Sequence, residues 1–128
     1  MGIFGIGIDL VKNDRIRKIL LSSYAERFLV KVLHRSELEE IKAKEQIEQR
    51  VIYLASRWSY KEACVKACGR RELLFPKMSL YKDNLGKPFI RFEDFNRELL
   101  ENTLGIKKTH VSLSHEDEHS IAFVVMEN

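Results

Sequence analysis

At 128 residues, 45% of them hydrophobic and 32% charged, the chain holds enough apolar material for one domain with a real core and has none of the composition of a disordered polypeptide. No run approaches the roughly 18 apolar residues of a membrane span. No basic stretch followed by an apolar core and a small-residue cleavage site opens the sequence, so a cytoplasmic protein, or one housed in an organelle matrix, is expected. A net charge of +3, from 22 basic and 19 acidic residues, is too mild for a dedicated nucleic-acid binder.

Ile3 to Val11 alternates: Ile6, Ile8 and Leu10 share one face, and Gly5, Gly7 and Asp9 share the other. The pattern predicts a strand with one bare face. Repeated glycine beside an acid points to a ligand or another backbone coming close there, or to a barrel-like bend with Asp9 starting a turn. Asn13 and Asp14 are expected N-caps of a short helix carrying Ile16, Ile19 and Leu20, with Arg15 and Lys18 outward. Tyr24 to Leu33 is a second short helical segment for the core, and Ser36-Glu37-Leu38-Glu39 a capping box opening a third helix. Whether that helix merges with the next near Glu45 is left open.

From Ile47 the residues are good helix formers as far as Gly69, which stands where a left-handed C-terminal cap belongs. One long helix is predicted, with Ile47, Val51, Leu54, Ala55, Trp58 and Val65 on one apolar arc. Glu62 falls inside the arc and Lys66 at its edge. A carboxylate aimed at a core needs a cation or a metal beside it, so the arc carries the first sign of a site. Cys64 and Cys68, one helical turn apart, are packed thiols without the further ligands of a zinc centre. A loop leaves Gly69. Met78 to Asp83 and Lys87 to Phe92 then form a hairpin around Asn84-Leu85-Gly86. Asp94 caps a helix with Phe95, Leu99, Leu100 and Leu104 that ends at Gly105, and a last hairpin pairs Thr109–His115 with Ser120–Met126. The order predicts an α+β fold spanning residues 1–128 as a single compact domain, its mostly antiparallel sheet packed against one long helix and shorter ones.

Asp9, Glu62 and Lys66 form the constellation that carries chemistry. Two carboxylates suffice for Mg²⁺ when phosphate oxygens and water complete its shell, and a lysine neutralises phosphate charge as it develops. His34, His110 and His119 are taken as structural or surface histidines, and Trp58 as core.

Four pieces, Gly5-Ile6-Gly7-Ile8-Asp9-Leu10-Val11, Arg57 through Gly69, Gly86-Lys87-Pro88 and His110-Val111-Ser112-Leu113-Ser114-His115, resemble the small 4′-phosphopantetheinyl transferases, most closely the holo-acyl-carrier-protein synthase type. The resemblance runs along nearly the whole chain. It implies Mg²⁺-dependent transfer of phosphopantetheine from coenzyme A to a serine of an acidic apo acyl carrier protein, releasing adenosine 3′,5′-bisphosphate. Asp9 and Glu62 match the metal ligands, with the serine proton going either to Glu62 or to a metal-bound water. Lys66 matches the lysine facing the phosphates, Arg57 and His115, with the neighbouring Ser114, the surroundings of the 3′-phosphate, and Lys87-Pro88 the segment near the adenosine. Arg15, with Lys18, matches the carrier-binding helix. Members of this length imply a homotrimer with the nucleotide cleft between subunits. The pattern departs at Arg70-Arg71-Glu72, where a short Gly-rich segment is usual, and around Ser22, which lacks the expected basic residues. The competing expectation is a module that binds coenzyme A or a carrier without transfer. More distant is a Mg²⁺-dependent phosphoryl-transfer enzyme with no carrier substrate.

Overall fold

The computed structural model describes residues 2–128. Strand β1 (Ile3–Lys12) is followed by three eight-residue helices, α1 (Asn13–Leu20), α2 (Ala25–Val32) and α3 (Arg35–Lys42), and by the 22-residue α4 (Ile47–Cys68). A 3₁₀ turn at Phe75–Lys77 leads into the hairpin β2 (Met78–Lys82) and β3 (Pro88–Phe92). Helix α5 (Asp94–Arg97) continues as a π-helical turn over Glu98–Thr103, and β4 (Lys108–His115) and β5 (His119–Glu127) close the chain. Strand β5 lies between β1 and β4 in an antiparallel sheet, while β2 and β3 pair separately. The class is α+β, as the element order predicts, and α3 and α4 are separate helices.

Helix α4 organises the packing. Its first half puts Val51, Leu54 and Ala55 against Val11, Ile16, Leu29, Val32 and Ile41 of β1 and α1–α3. Its second half puts Tyr60, Cys64 and Ala67 against Met78, Leu100, Ala122 and Val124. Trp58 is half-buried between Phe28 and Phe75, with ring centroids 5.3 and 5.8 Å away. Ile47, placed on the apolar arc by its spacing, is exposed at the helix start. Gly69 has φ 71° and ends α4 as a left-handed cap.

The bare face of β1 is the face that turns inward, because the helix backbone lies against it. A Cβ on Gly5 would stand 1.9 Å from the carbonyl oxygen of Ala67, and one on Gly7 1.9 Å from that of Ala63. The apolar face of the same strand is open: Ile6, Ile8 and Leu10 are 60%, 53% and 63% exposed.

The charge sunk deepest in α4 is Lys61 rather than Glu62. Lys61 and Glu37 are both fully buried, joined at 2.6 Å, and Lys61 Nζ also donates to the carbonyls of Val32 and Phe75 at 2.7 and 2.9 Å. Burial pulls the lysine below its ordinary range and the Glu37 charge opposes it. Glu37 further accepts from the Tyr60 hydroxyl at 2.8 Å and from the amides of His34 and Leu80 at 3.0 and 3.3 Å. The carboxylate is thereby satisfied on both oxygens.

Three caps differ from expectation. The box opening α3 is built on His34, whose Nδ1 accepts from the Ser36 amide while Glu37 accepts from the His34 amide; it therefore starts two residues before Ser36. Asn13 does not cap α1. It is buried and spans to the β4–β5 turn, donating to the carbonyls of Glu116 and Asp117 and accepting from Ser120 Oγ. Glu93 occupies the cap position of α5, and Asp94 itself carries φ 49°. Val30, within the segment expected in the core, is exposed, as is Phe95.

Because backbone rather than a flexible side chain blocks the space at Gly7, Gly7→Ala is expected to destabilise the fold by about 1–3 kcal/mol or more. Urea denaturation measures this, and an unchanged midpoint would contradict the close approach.

Candidate active site

Asp9 follows Gly7 on the inward face of β1, where α4 lies closest. Lys66, one turn beyond Glu62 on α4, reaches across: its Nζ donates to the carbonyl of Ile8 at 2.8 Å and to Asp9 Oδ1 at 3.1 Å. The other oxygen, Asp9 Oδ2, is buried and has no hydrogen-bond partner. Glu62, one turn before Lys66 on α4, lies within electrostatic reach of Asp9. Burial raises its pKa above the ordinary glutamate value and the Asp9 charge raises it further, while Lys66, Arg71 and Arg15 oppose the rise. Two carboxylates thus act on each other's charge, one with an orphaned oxygen, and the charges of three cations from α4, the following loop and α1 reach Glu62. Among the described residues no cluster of three or more His, Cys, Asp or Glu gathers as a richer metal site. A pair of carboxylates with one uncompensated oxygen fits a hard divalent cation that takes its remaining oxygens from phosphate and water.

The other predicted binding residues lie away from the carboxylates, Arg57 on a different ridge of α4 and Ser114 and His115 on β4. Arg57, Ser114 and His115 line one cavity of about 690 Å³, together with Tyr53, Lys44 and Lys82. Arg57 lies over the Tyr53 ring at 4.0 Å and donates to Ser56 Oγ at 2.9 Å. Its Nε is buried without a hydrogen-bond partner, 3.9 Å from Glu37 Oε2, and its Nη2 is 4.0 Å from Glu40. A cavity walled by three cations, a histidine and one acid, Glu48, that is already paired with Arg17 at 2.7 Å, is suited to an anion. Lys87 and Pro88 are not in its wall; Lys82, the cross-strand partner of Pro88, is the hairpin residue that reaches it.

Of the residues proposed for partner binding, Arg15 is exposed and its charge is felt at Glu62. Lys18 is directed elsewhere, 3.3 Å from Asp14. Arg70 pairs with Glu72, which leaves Arg71 as the member of the Arg-Arg pair whose charge acts on Glu62. Tyr53, Lys44, Lys82 and the Glu37–Lys61 pair were missed by the sequence reading. The fourfold spacing of Tyr53 and Lys61 about the predicted Arg57, along one helix ridge, is the signal that groups two of them with it.

The family comparison decides the class. Residues 5–124 match the family model described as the 4′-phosphopantetheinyl transferase superfamily. The chain belongs to that superfamily. It is 39% identical over 125 residues to the holo-[acyl-carrier-protein] synthase of Halothermothrix orenii, covering 96% of each chain. The crystal structure of the holo-[acyl-carrier-protein] synthase from Neisseria meningitidis superposes with a TM-score of 0.86 at 32% identity, covering 98% of this chain and 99% of that one. The Helicobacter pylori synthase, solved in complex with coenzyme A, superposes with a TM-score of 0.76 at 30% identity, covering 95% and 99%. Full-length likeness at this level makes the chain an enzyme of the holo-[acyl-carrier-protein] synthase type.

The raised Glu62 pKa fixes the sign of a pH effect. With no divalent cation added, the folded chain holds this proton more tightly than the unfolded chain, so the Glu62 contribution to stability falls as pH rises from the ordinary value of 4.5 through the raised one. Glu62→Gln is expected to remove that slope, and Asp9→Asn to shrink it while leaving the midpoint at neutral pH unchanged or higher. Denaturation at stepped pH reads both, and slopes equal to that of the parent would show that the two carboxylates do not interact.

Proposed function

We propose that the chain transfers 4′-phosphopantetheine from coenzyme A to a serine of an apo acyl carrier protein, releasing adenosine 3′,5′-bisphosphate. The observation that carries the reading is the orphaned oxygen of Asp9 opposite Glu62, with Lys66 bonded beside it. Asp9 and Glu62 would hold Mg²⁺, which when bound supplies Lewis-acid activation and charge neutralisation at the pyrophosphate. Lys66, more than half exposed and already aimed at this point, is placed to stabilise charge on the departing phosphate. Glu62, whose proton affinity is raised, is suited to receive the serine proton as oxygen attacks the phosphorus bearing the pantetheine arm and the bond to the nucleotide phosphate breaks.

The anion cavity of Arg57, Ser114 and His115 supports binding of the nucleotide phosphate of coenzyme A, and Lys87 and Pro88, outside its wall on the hairpin that carries Lys82, keep the adenosine role only through the resemblance. Arg15, exposed on α1 with its charge felt at Glu62, would give an acidic carrier protein a basic contact near the carboxylates, with the exposed Lys18 farther along the same helix. The open apolar stripe of Ile6, Ile8, Leu10 and Phe123 supports a homotrimer that buries it. No helix among the described residues is long and apolar enough to cross a membrane, and a cytoplasmic site of action is our reading.

Mixing the protein with coenzyme A, Mg²⁺ and an apo carrier protein should add the phosphopantetheine mass to the carrier, an addition that chelation or Glu62→Gln suppresses. Absence of the gain would sink the transfer reading, and coenzyme A binding without it would favour the non-catalytic module. Arg15→Glu should lower turnover of the carrier on the order of tenfold through charge reversal at the docking surface. Steady-state kinetics over a range of carrier concentrations checks this, and unchanged turnover would remove α1 from the interface.

A further inference from the structure

The Glu37–Lys61 pair lies outside everything assigned above, yet one of its oxygens looks toward the anion cavity. Glu37 is fully buried and belongs to α3, and its Oε1 is engaged by Lys61 and by the His34 amide. Oε2, which accepts from Tyr60 and from the Leu80 amide, is the oxygen that stands 3.9 Å from Arg57 Nε. Arg57 has few other restraints. Its guanidinium rests on the Tyr53 ring, one nitrogen donates to Ser56, and Nε makes no hydrogen bond at all. Arg57 shares the cavity wall with two like charges, Lys44 and Lys82, and the wall's one acid, Glu48, is taken by Arg17 at 2.7 Å. Glu37 is the one carboxylate behind Arg57 that is itself wholly buried; Glu40, at 4.0 Å from Nη2, is half exposed and screened.

We propose that Glu37 is a positioning residue for Arg57: its buried carboxylate, held rigid by Lys61, Tyr60 and two backbone amides, keeps the guanidinium seated against Tyr53 with its terminal nitrogens toward the cavity. Glu37 touches no substrate. It acts by fixing the residue that meets the nucleotide phosphate, so the inference rests on the assignment of that phosphate to this cavity. The rigidity matters because an arginine that must be ordered on binding costs roughly 0.5–1.5 kcal/mol of side-chain freedom. The four donors on Glu37 are shared among α3, α4 and β2, and a single shift of α3 cannot carry the carboxylate away from Arg57 without breaking them.

The two donors coenzyme A and dephospho-coenzyme A separate positioning from general loosening, since only the first carries the phosphate that Arg57 is read to meet. Calorimetric Kd values for both are measured on the parent, on Glu37→Asp, which withdraws the carboxylate while keeping a charge for Lys61, and on the double variant Glu37→Gln/Lys61→Met, which leaves no lone buried ion. The parent should prefer coenzyme A, and both variants should lose roughly tenfold in affinity for it while dephospho-coenzyme A binds within about twofold of parent. Equal losses for both donors would make Glu37 merely structural. No loss for either, or a parent indifferent to the phosphate, would overturn the assignment as well. Failure of the transfer reaction appears separately, as a parent that binds coenzyme A and modifies no carrier.

Discussion

The contact between the glycines of β1 and the carbonyls of α4 sets every distance in the carboxylate site. With hydrogen in place of Cβ at Gly5 and Gly7, the helix settles until the oxygens of Ala63 and Ala67 occupy the space two methyl groups would need. Alanine on the helix side of the contact keeps that approach close. Lys66 then reaches the Ile8 carbonyl and the Asp9 carboxylate at ordinary hydrogen-bond lengths, and the Glu62 and Asp9 charges fall within range of each other. Side chains at 5 and 7 would lift the helix from the strand, and the reactive groups would separate although none of them had been changed. The site is thus built by omission in β1, and its chemistry is supplied from α4.

The second constraint is rotational. A helix lying on a flat glycine surface can turn about its axis at little cost, because the surface has no knobs to lock it. The buried Lys61 supplies the lock, with Glu37, the Val32 carbonyl and the Phe75 carbonyl holding its ammonium from three elements. Lys61 and Arg57 share one ridge, and Glu62 and Lys66 share the next, about 100° round the axis. Anchoring the first ridge on α3 therefore aims the second at Asp9. A buried ion pair is weak support for stability, since apolar replacements of similar volume often do as well. Its directional demands give this one a use that an apolar pair would lack.

Much of this was legible from residue pattern. The long helix and its Gly69 stop, both hairpins and the bare strand face follow from spacing alone, because period and turn chemistry are local properties, whereas joining Asp9 to Glu62 and Lys66 across 53 residues leaned on the family resemblance. Burial was less legible for a specific reason. An apolar arc identifies one packed face, but α4 has a sheet on one side, α1–α3 on another and the β2–β3 hairpin beyond, so polar Ser59, Tyr60 and Lys61 are buried as thoroughly as Val51 and Leu54. The charge that looked buried, Glu62, borders the site, while the fully buried one reads as an ordinary surface lysine. His34 escaped because imidazole is not a favoured cap, and Asn13 because its partners are more than a hundred residues away. Arg57 and His115 stand 58 residues apart in sequence and meet only through the way β4 returns beside α4, so no local pattern joins them.

Satisfaction of buried polar groups separates the scaffold from the working parts. Asn13, Glu37, Lys61, Asn96 and Ser120 are all buried and all hydrogen-bonded, several of them to backbone far along the chain. Among the described residues, two buried side-chain atoms are left without a partner: Asp9 Oδ2, an acceptor, and Arg57 Nε, a donor. One lies on β1 where Lys66 of α4 reaches it, and the other on the Arg57 ridge of α4. Leaving such atoms bare costs on the order of 1–3 kcal/mol each, so a fold that satisfies its other buried polar groups across long sequence distances has reason to leave these two unpaired only if something else meets them. An orphaned carboxylate oxygen calls for a cation, and a guanidinium whose Nε stands 3.9 Å from Glu37 while its terminal nitrogens line a basic cavity calls for an anion there. A molecule that brings a cation on one phosphate group and a further phosphate some distance away answers both demands at once, and coenzyme A with a divalent metal on its pyrophosphate is such a molecule.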